Sequence, residues 1–260
     1  MAYGGFKQIR VLDNRESALA EMGIKIGNPI IRYTVGDIRD IDRVDLAMEG
    51  VDYVFHAAAL KHVPLCEYNP FEAVKTNVYG TNNVMQSASY HNVKKVVNIS
   101  TDKAVNPINV LGATKLLAEK IVATAKYRKS DTIFANVRFG NVTWSSGSAF
   151  PIFSDYIKNK TPLQVTSLEM ERFYMTIEDA VKLVFKAFAE MKGGETFILK
   201  MPTFKMGDLV NAMAIVNGEQ IPYEVVGIRD GEKLKEELMF ECEKNRAEEK
   251  EDFWVIREST

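Results

Sequence analysis

The stretch KVVNISTDKAVNPINVLGATKLLAEK, residues 95–120, decides the fold. Val96, Val97 and Ile99 read as a buried strand, and Ser100, Thr101, Asp102 and Lys103 gather polar groups at its carboxyl end. Asn106, Pro107 and Asn109 mark a loop, and a helix opens near Gly112. In open α/β sheets, ligands lie beyond the carboxyl ends of the strands. The plain alternative for these residues is a solvated turn that caps the next helix. A hydroxyl, a carboxylate and an ammonium side by side, with Lys115 one helical turn in, favour a site over that alternative.

Upstream, residues 7–13 and 30–37 read as strands ending in Asp13 and Asp37. An acidic residue at the end of the second strand of a dinucleotide fold accepts from the adenosine ribose hydroxyls and favours NAD over NADP. Asp13 suits that role and, equally, the N-cap of a helix over 16–22; Arg15 beside it works against the NAD preference. Residues 40–49 form a short amphipathic helix. The strand VDYVFHAAA, 51–59, ends in Ala57, Ala58 and Ala59, small enough for a ligand to approach the backbone or for a helix to pack on it. Lys61 follows in a loop, where a solvated position is the default.

A long helix over 70–90 turns Val74, Val78, Val84, Met85 and Ala88 to the core and carries Asn77, whose plain reading is a satisfied buried amide. The helix over 112–127 places Leu117, Ile121, Val122 and Ala125 inward, and pairing with Glu119 is the plain reading of Lys115. Residues 132–139, TIFANVRF, are near-continuously apolar, as in a parallel strand buried on both faces. Helices follow over 148–160, 177–191 and from 206, with a strand in GGETFILK. After Leu238 the tail is charged, and partial disorder is expected until Phe253–Trp254 docks.

With 260 residues the chain fits one large α/β domain, or a domain with a smaller cap. A formal net charge of −2, with Lys and Arg scattered among Asp and Glu, gives no electrostatic case for nucleic acid. Cys66 and Cys242, like His56, His62 and His91, have no metal-ligand spacing, and no metal is expected. No apolar run approaches the roughly 20 residues that span a bilayer, and no signal-peptide h-region opens the chain. A cytoplasmic protein with no membrane partner is the expectation.

Taken together, Ser-Thr-Asp-Lys (100–103), Asn-Pro-Ile-Asn (106–109) and Gly-Ala-Thr-Lys (112–115) resemble the extended short-chain dehydrogenase/reductases, specifically the UDP-N-acetylglucosamine 4,6-dehydratases of surface-glycan biosynthesis. The family's usual Tyr, four residues before the helix Lys, is Leu111 here, and leucine cannot accept a proton. The resemblance therefore implies that Asp102 and Lys103 carry the acid/base work, with Thr101 on the sugar O4 and Lys115 on the nicotinamide ribose. It implies that Asp37 and Ile38 meet the adenine, that Ala57, Ala58 and Ala59 run under the cofactor, and that Asn77 orders the active-site backbone. Lys61 lies in the matching substrate-facing loop.

In Arg138-Phe-Gly-Asn141-Val142 and the following Ser145-Ser146-Gly147-Ser148, the resemblance implies that Asn141 and Ser148 contact substrate and that Val142 approaches the nicotinamide. Met170-Glu-Arg172-Phe173 is similar to the family's M-T-R-F, with Arg172 on the diphosphate. Gly227-Ile-Arg229-Asp-Gly-Glu232-Lys233 is similar to its G-I-R-P-G-E-K, with Arg229 and Glu232 on the uridine diphosphate and Asp230 replacing Pro. GGETFILKMP resembles the soluble, C5-inverting subgroup.

The implied fold is α/β: a Rossmann-like, doubly wound parallel sheet over residues 1–165 and 177–200. A small C-terminal substrate-binding subdomain would take 166–176 and 201–260. The implied cofactor is NAD or NADP, NAD favoured; the implied partners are a UDP-sugar and further copies of the chain. The family begins with a strand, a Gly-rich loop and a helix ahead of the strand at 7–13. Here Gly4 and Gly5 precede a strand, whereas a phosphate-binding loop follows one, so this first unit is expected to be missing. In the order 3-2-1-4-5-6 its strand is central, which leaves two unpaired edges and impaired cofactor binding as expectations. Two other functions fit the same residues: a UDP-sugar C4 epimerase, and a truncated non-catalytic relative that binds nucleotide sugar.

Overall fold

A computed structural model describes residues 5–145 and 148–257; Gly4, Ser146 and Gly147 lie outside the described residues. β1 (Ile9–Asp13) and β2 (Ile31–Val35) pair in parallel, with α1 (Glu16–Ile26) as the crossover between them. α1 ends at Gly27, whose left-handed φ of 57° lets its N–H turn back to the Gly23 carbonyl. α2 (Ile41–Met48) opens on Asp40, whose carboxylate accepts from the Arg43 N–H. β3 (Tyr53–His56) is shorter than expected and releases Ala57–Ala59 into the following loop.

After α3 (Val63–Tyr68), the long helix expected over 70–90 comprises α4 (Pro70–Ala73), a π-helical turn (Val74–Gly80) and α5 (Thr81–Tyr90). Asn77 sits inside that turn, and such bulges recur at functional sites. β4 (Lys95–Thr101), α6 (Val110–Thr124) and β5 (Ile133–Phe139) complete the central unit. On α6 the buried stripe is Leu111, Lys115, Ala118 and Val122, so Leu117, expected in the core, is 50% exposed.

A main sheet of six strands runs β12-β13-β9-β5-β4-β3, where β9 is Thr196–Leu199, β12 is Ala247–Glu249 and β13 is Phe253–Ile256. β3, β4, β5 and β9 are parallel, while β13 and β12 add antiparallel pairs. Residues 247–256, grouped by sequence with the substrate-binding part and expected to be partly disordered, thus belong to the main sheet. The reason is alternation: Phe253 and Val255 join Val97, Ala135, Val137, Phe197 and α8 (Ile177–Glu190) in one core. On the opposite face Val96 and Phe134 pack with Val44, Val84, Met85 and Val122. Neighbouring residues of each strand feed different cores, which explains their continuous apolar reading.

The β1–β2 pair is a sheet of its own, and β3 is the edge of the main sheet among the described strands. Leu12 and Val54 nevertheless pack on the same cluster as Val44, so one core spans both sheets. The smaller part of the molecule combines β6 (Asn141–Val142), α7 (Ala149–Lys158), β7 (Leu163–Val165), β8 (Glu171–Met175), β10 (Thr203–Lys205), α9 (Met206–Asn217) and β11 (Tyr223–Val225). Phe153, Leu163, Val165, Leu209 and Ile221 form its core. The whole is a mostly parallel, Rossmann-like sheet with a small second part beside its carboxyl rim. No helix among the described residues is long and apolar enough to cross a membrane.

Candidate active site

At the carboxyl end of β4 the chain makes one tight turn over Asp102–Ala104. The Thr101 hydroxyl donates to Asp102 Oδ1 at 2.9 Å and accepts from the Lys103 N–H at 3.4 Å, which sets the turn. Asp102 is fully buried, and Lys103 Nζ donates to its Oδ1 at 3.1 Å and to Asn141 Oδ1 at 3.4 Å. Glu236 Oε1 lies 3.7 Å from the same ammonium. Burial pulls the Lys103 pKa down, but the Asp102 and Glu236 carboxylates outweigh it and raise the pKa overall. Asp102 Oδ2 is buried with no hydrogen-bond partner among the described residues, an oxygen left for a proton or a ligand donor.

Helix α6 presses against this turn. Asn109 caps it, accepting from the Gly112 N–H at 2.7 Å, and Gly112 is required by space: a Cβ there would lie 2.2 Å from the Lys103 carbonyl oxygen. One turn on, Lys115 is 5% exposed and donates to the Ile99 carbonyl at 2.6 Å. Burial lowers its pKa to about 8, with Glu119 only partly opposing. The plain reading of Lys115 as a surface partner of Glu119 therefore gives way, because Glu119 is bound to Arg138 at 2.7 Å.

His56, at the end of β3, is buried, and its Nε2 lies 3.0 Å from Thr81 Oγ1. Thr81 donates its own proton to the Asn77 carbonyl, so it accepts from a neutral imidazole. Burial, with help from the Lys115 charge, lowers the His56 pKa from 6.5 to about 3. The unfolded chain therefore binds the extra proton below pH 6.5 while the native state does not. Stability falls as pH drops through that window, by roughly 2 kcal/mol from this group between pH 6.5 and 5. His56→Gln is expected to flatten that part of the curve of urea midpoint against pH; an unchanged slope would contradict it.

These elements wall a cavity of about 830 Å³. Thr101, Lys103, Lys115, Ala57, Ala59, Lys61, Asn141, Val142, Ser148, Arg172, Arg229 and Glu232 all line it, as does Leu111. Asp102 lies behind Lys103, and Ala58, Asn77, Asp13, Asp37 and Ile38 lie outside the lining. Asn77 is fully buried; it accepts from Leu60 N–H at 2.8 Å and donates to the Leu60 carbonyl and Thr114 Oγ1. It ties the 57–62 loop to α6, as the buried-amide reading expects. Asp13 accepts from the Arg15 N–H at 2.8 Å, and Asp37 is bound by the Arg39 guanidinium, whose hydrogen bonds hold its pKa below the ordinary value. Ile38 is part of the core with Val44.

Arg172 donates to the carbonyls of Glu171, Lys233 and Leu234 at 2.8, 2.9 and 3.4 Å, fixing the segment that carries Glu232. Two residues that sequence reasoning missed are Asn109, which also donates to the Gly231 carbonyl at 2.7 Å, and Glu236. Within Lys-Leu-Lys-Glu-Glu, Glu236 reads as one more solvated charge, and nothing in its spacing points to Lys103.

The family described as polysaccharide biosynthesis protein matches residues 2–258. A UDP-N-acetylglucosamine 4,6-dehydratase (inverting) of Campylobacter jejuni is 41% identical over 92% of this chain and 71% of its own. A UDP-glucose 4-epimerase of Rickettsia canadensis is also 41% identical, over 96% of this chain and 74% of its own. The crystal structure of Pen from Bacillus thuringiensis is 47% identical and superposes with a TM-score of 0.93, covering 96% of this chain and 81% of that one. With a cavity at the carboxyl rim of a Rossmann-like sheet and relatives that modify nucleotide sugars, the chain belongs to this polysaccharide biosynthesis family of extended short-chain dehydrogenase/reductases, kin to the UDP-N-acetylglucosamine 4,6-dehydratases.

Proposed function

We propose that the chain is a UDP-N-acetylglucosamine 4,6-dehydratase, and the observation that carries this is the pair of a buried Asp102 and a half-buried Lys103 at the cavity wall. Removing water across C5 and C6 needs a base for the C5 proton and an acid for the departing C6 hydroxyl. The pair holds one shared proton across 3.1 Å. Shifting it from Lys103 Nζ to Asp102 breaks an N–H bond, forms an O–H bond, and creates amine and acid together. Lys103 then takes the C5 proton while Asp102, which lies behind the lining, passes its proton to the leaving oxygen through the Thr101 hydroxyl beside it. Ammonium and carboxylate are regenerated with no net proton change. Leu111 accepts no proton, so the O4 proton released as C4 is oxidised passes to solvent, and a solvent proton returns to C5 through Lys103 when the hydride is given back to C6; Thr101 lies against the sugar O4.

The nicotinamide end of a dinucleotide would lie in the same cavity, where Ala57 and Ala59 leave room against the backbone, Val142 offers an apolar face, and Lys115 keeps two N–H donors beyond its bond to Ile99; Asp13, Asp37 and Ile38 lie outside that cavity. When bound, it supplies the hydride acceptor that oxidises C4 and later returns the hydride to C6. NAD is proposed over NADP on the resemblance alone, because Asp13 and Asp37 lie outside the cavity lining and are paired with Arg15 and Arg39. Arg229, Glu232, Asn141 and Ser148 hold the UDP-sugar, with Arg172 shaping the wall and Lys61 at the entrance. Inversion at C5 is the stereochemistry proposed.

The second reading is C4 epimerisation, favoured by the identity to a UDP-glucose 4-epimerase. Epimerisation needs no eliminating base, so an amine at the cavity wall paired with a buried acid supports dehydration. NMR of products formed from UDP-N-acetylglucosamine and NAD in deuterated water separates the two. A 4-keto-6-deoxy product with deuterium at C5 is expected; a C4 epimer with protium at C5 would remove dehydration.

A further inference from the structure

We infer that Glu236 is a positioning residue of this site: its carboxylate, set against the Lys103 ammonium, keeps the shared proton on the Asp102–Lys103 pair. Glu236 is 5% exposed and lines the cavity. Its Oε1 lies 3.7 Å from Lys103 Nζ, and its Oε2 lies 3.6 Å from Lys233 Nζ without a hydrogen-bond partner among the described residues. A carboxylate kept in the interior as a structural tie makes short, charge-assisted bonds, as Glu119 and Glu243 do to Arg138. Glu236 makes none. Its place is fixed by others: Arg172 holds the carbonyls of Lys233 and Leu234, Asn109 holds that of Gly231, and Lys233 Nζ is anchored on the Val105 carbonyl at 2.6 Å.

The charges facing Lys103 are therefore Asp102 and Glu236, with Arg172 opposing them, and those facing Glu236 are Lys103 and Lys233. With Asp102 alone, burial and the Arg172 charge would act against a single carboxylate, and the pair would lose its proton at lower pH. A pair without that proton has no acid for the C6 hydroxyl. Glu236 thus extends the working range upward.

The kinetic part rests on the dehydratase reading, so the test has an arm that does not. In protein with ¹³C-labelled lysine side chains, assigned with a Lys103→Arg variant, NMR follows Lys103 in the wild type, Glu236→Gln and Glu236→Asp. The Lys103 midpoint is expected to fall by at least about one pH unit in Glu236→Gln and to recover in Glu236→Asp. An unchanged midpoint in a folded Glu236→Gln would overturn the inference. The high-pH limb of kcat for dehydration is expected to move down by a similar amount with KM for UDP-N-acetylglucosamine within about threefold. A uniform loss at every pH with the limb unmoved would also overturn it, leaving Glu236 as packing. Should the wild type give no 4-keto product, the dehydratase reading fails while the NMR shift still decides whether Glu236 governs Lys103.

Discussion

Lys103→Ala is expected to abolish formation of 4-keto product from UDP-N-acetylglucosamine, a loss on the order of 10²–10⁴-fold or more. Binding of UDP is expected to change by no more than a few-fold. The split follows from geometry. Lys103 Nζ donates to Asp102, and its side chain, 19% exposed, lines the cavity, whereas Arg229 and Glu232, proposed to hold UDP, sit on a different segment. Alanine leaves Asp102 and Glu236 buried without their cation, so the thermal midpoint must be followed beside the kinetics. Lys103→Met fills the volume and should match the kinetic loss. Retained turnover in either folded variant would take Lys103 out of the mechanism, and loss of UDP binding in parallel with turnover would recast it as a substrate anchor.

How much of this site could be read from the chain depends on distance along it. Thr101, Asp102, Lys103, Leu111 and Lys115 fall in one strand–turn–helix unit, where the end of an apolar run and the start of a helical period mark the place where ligands bind. The partners of Lys103 that come from elsewhere were less visible. Asn141 carried a motif, but Glu236 lies in a run of Lys and Glu whose default is a solvated face, and only the fold brings it to the ammonium. Arg172 was legible as a conspicuous arginine, yet its donors go to backbone carbonyls, which composition cannot reveal. The same limit explains the tail. Its charged residues suggested disorder, while four alternating residues, Phe253–Ile256, were enough to zip it onto β9.

Arg138→Met is expected to lower stability by roughly 3–5 kcal/mol, the range for breaking a buried ion pair from one side. Arg138 is fully buried at the end of β5, and its guanidinium binds Glu119 at 2.7 and 3.1 Å, Glu243 at 2.8 and 3.1 Å, and the Leu238 carbonyl at 2.7 Å. Burial pulls the Arg138 pKa down, but the Glu119 and Glu243 carboxylates outweigh it and raise it, and the guanidinium in turn outweighs burial at Glu243 and holds it below the ordinary carboxylate value. The sign for Glu243 follows: a depressed native pKa contributes stability above the unfolded value near 4.5, and that contribution is lost as pH falls. Methionine would strand two carboxylates in the interior and free the 238–243 segment from the sheet. Urea denaturation at neutral pH measures the loss, and Arg138→Met with Glu119→Gln and Glu243→Gln separates its causes. If stranded charge dominates, the triple variant regains most of the stability; if the lost bond to Leu238 dominates, it stays as weak as the single one. Because β5 runs directly into Phe139, Gly140 and Asn141, the single variant is also expected to loosen the contact from Asn141 to Lys103. A wild-type urea midpoint in Arg138→Met would show instead that β5 and the cavity rim are held without this triad.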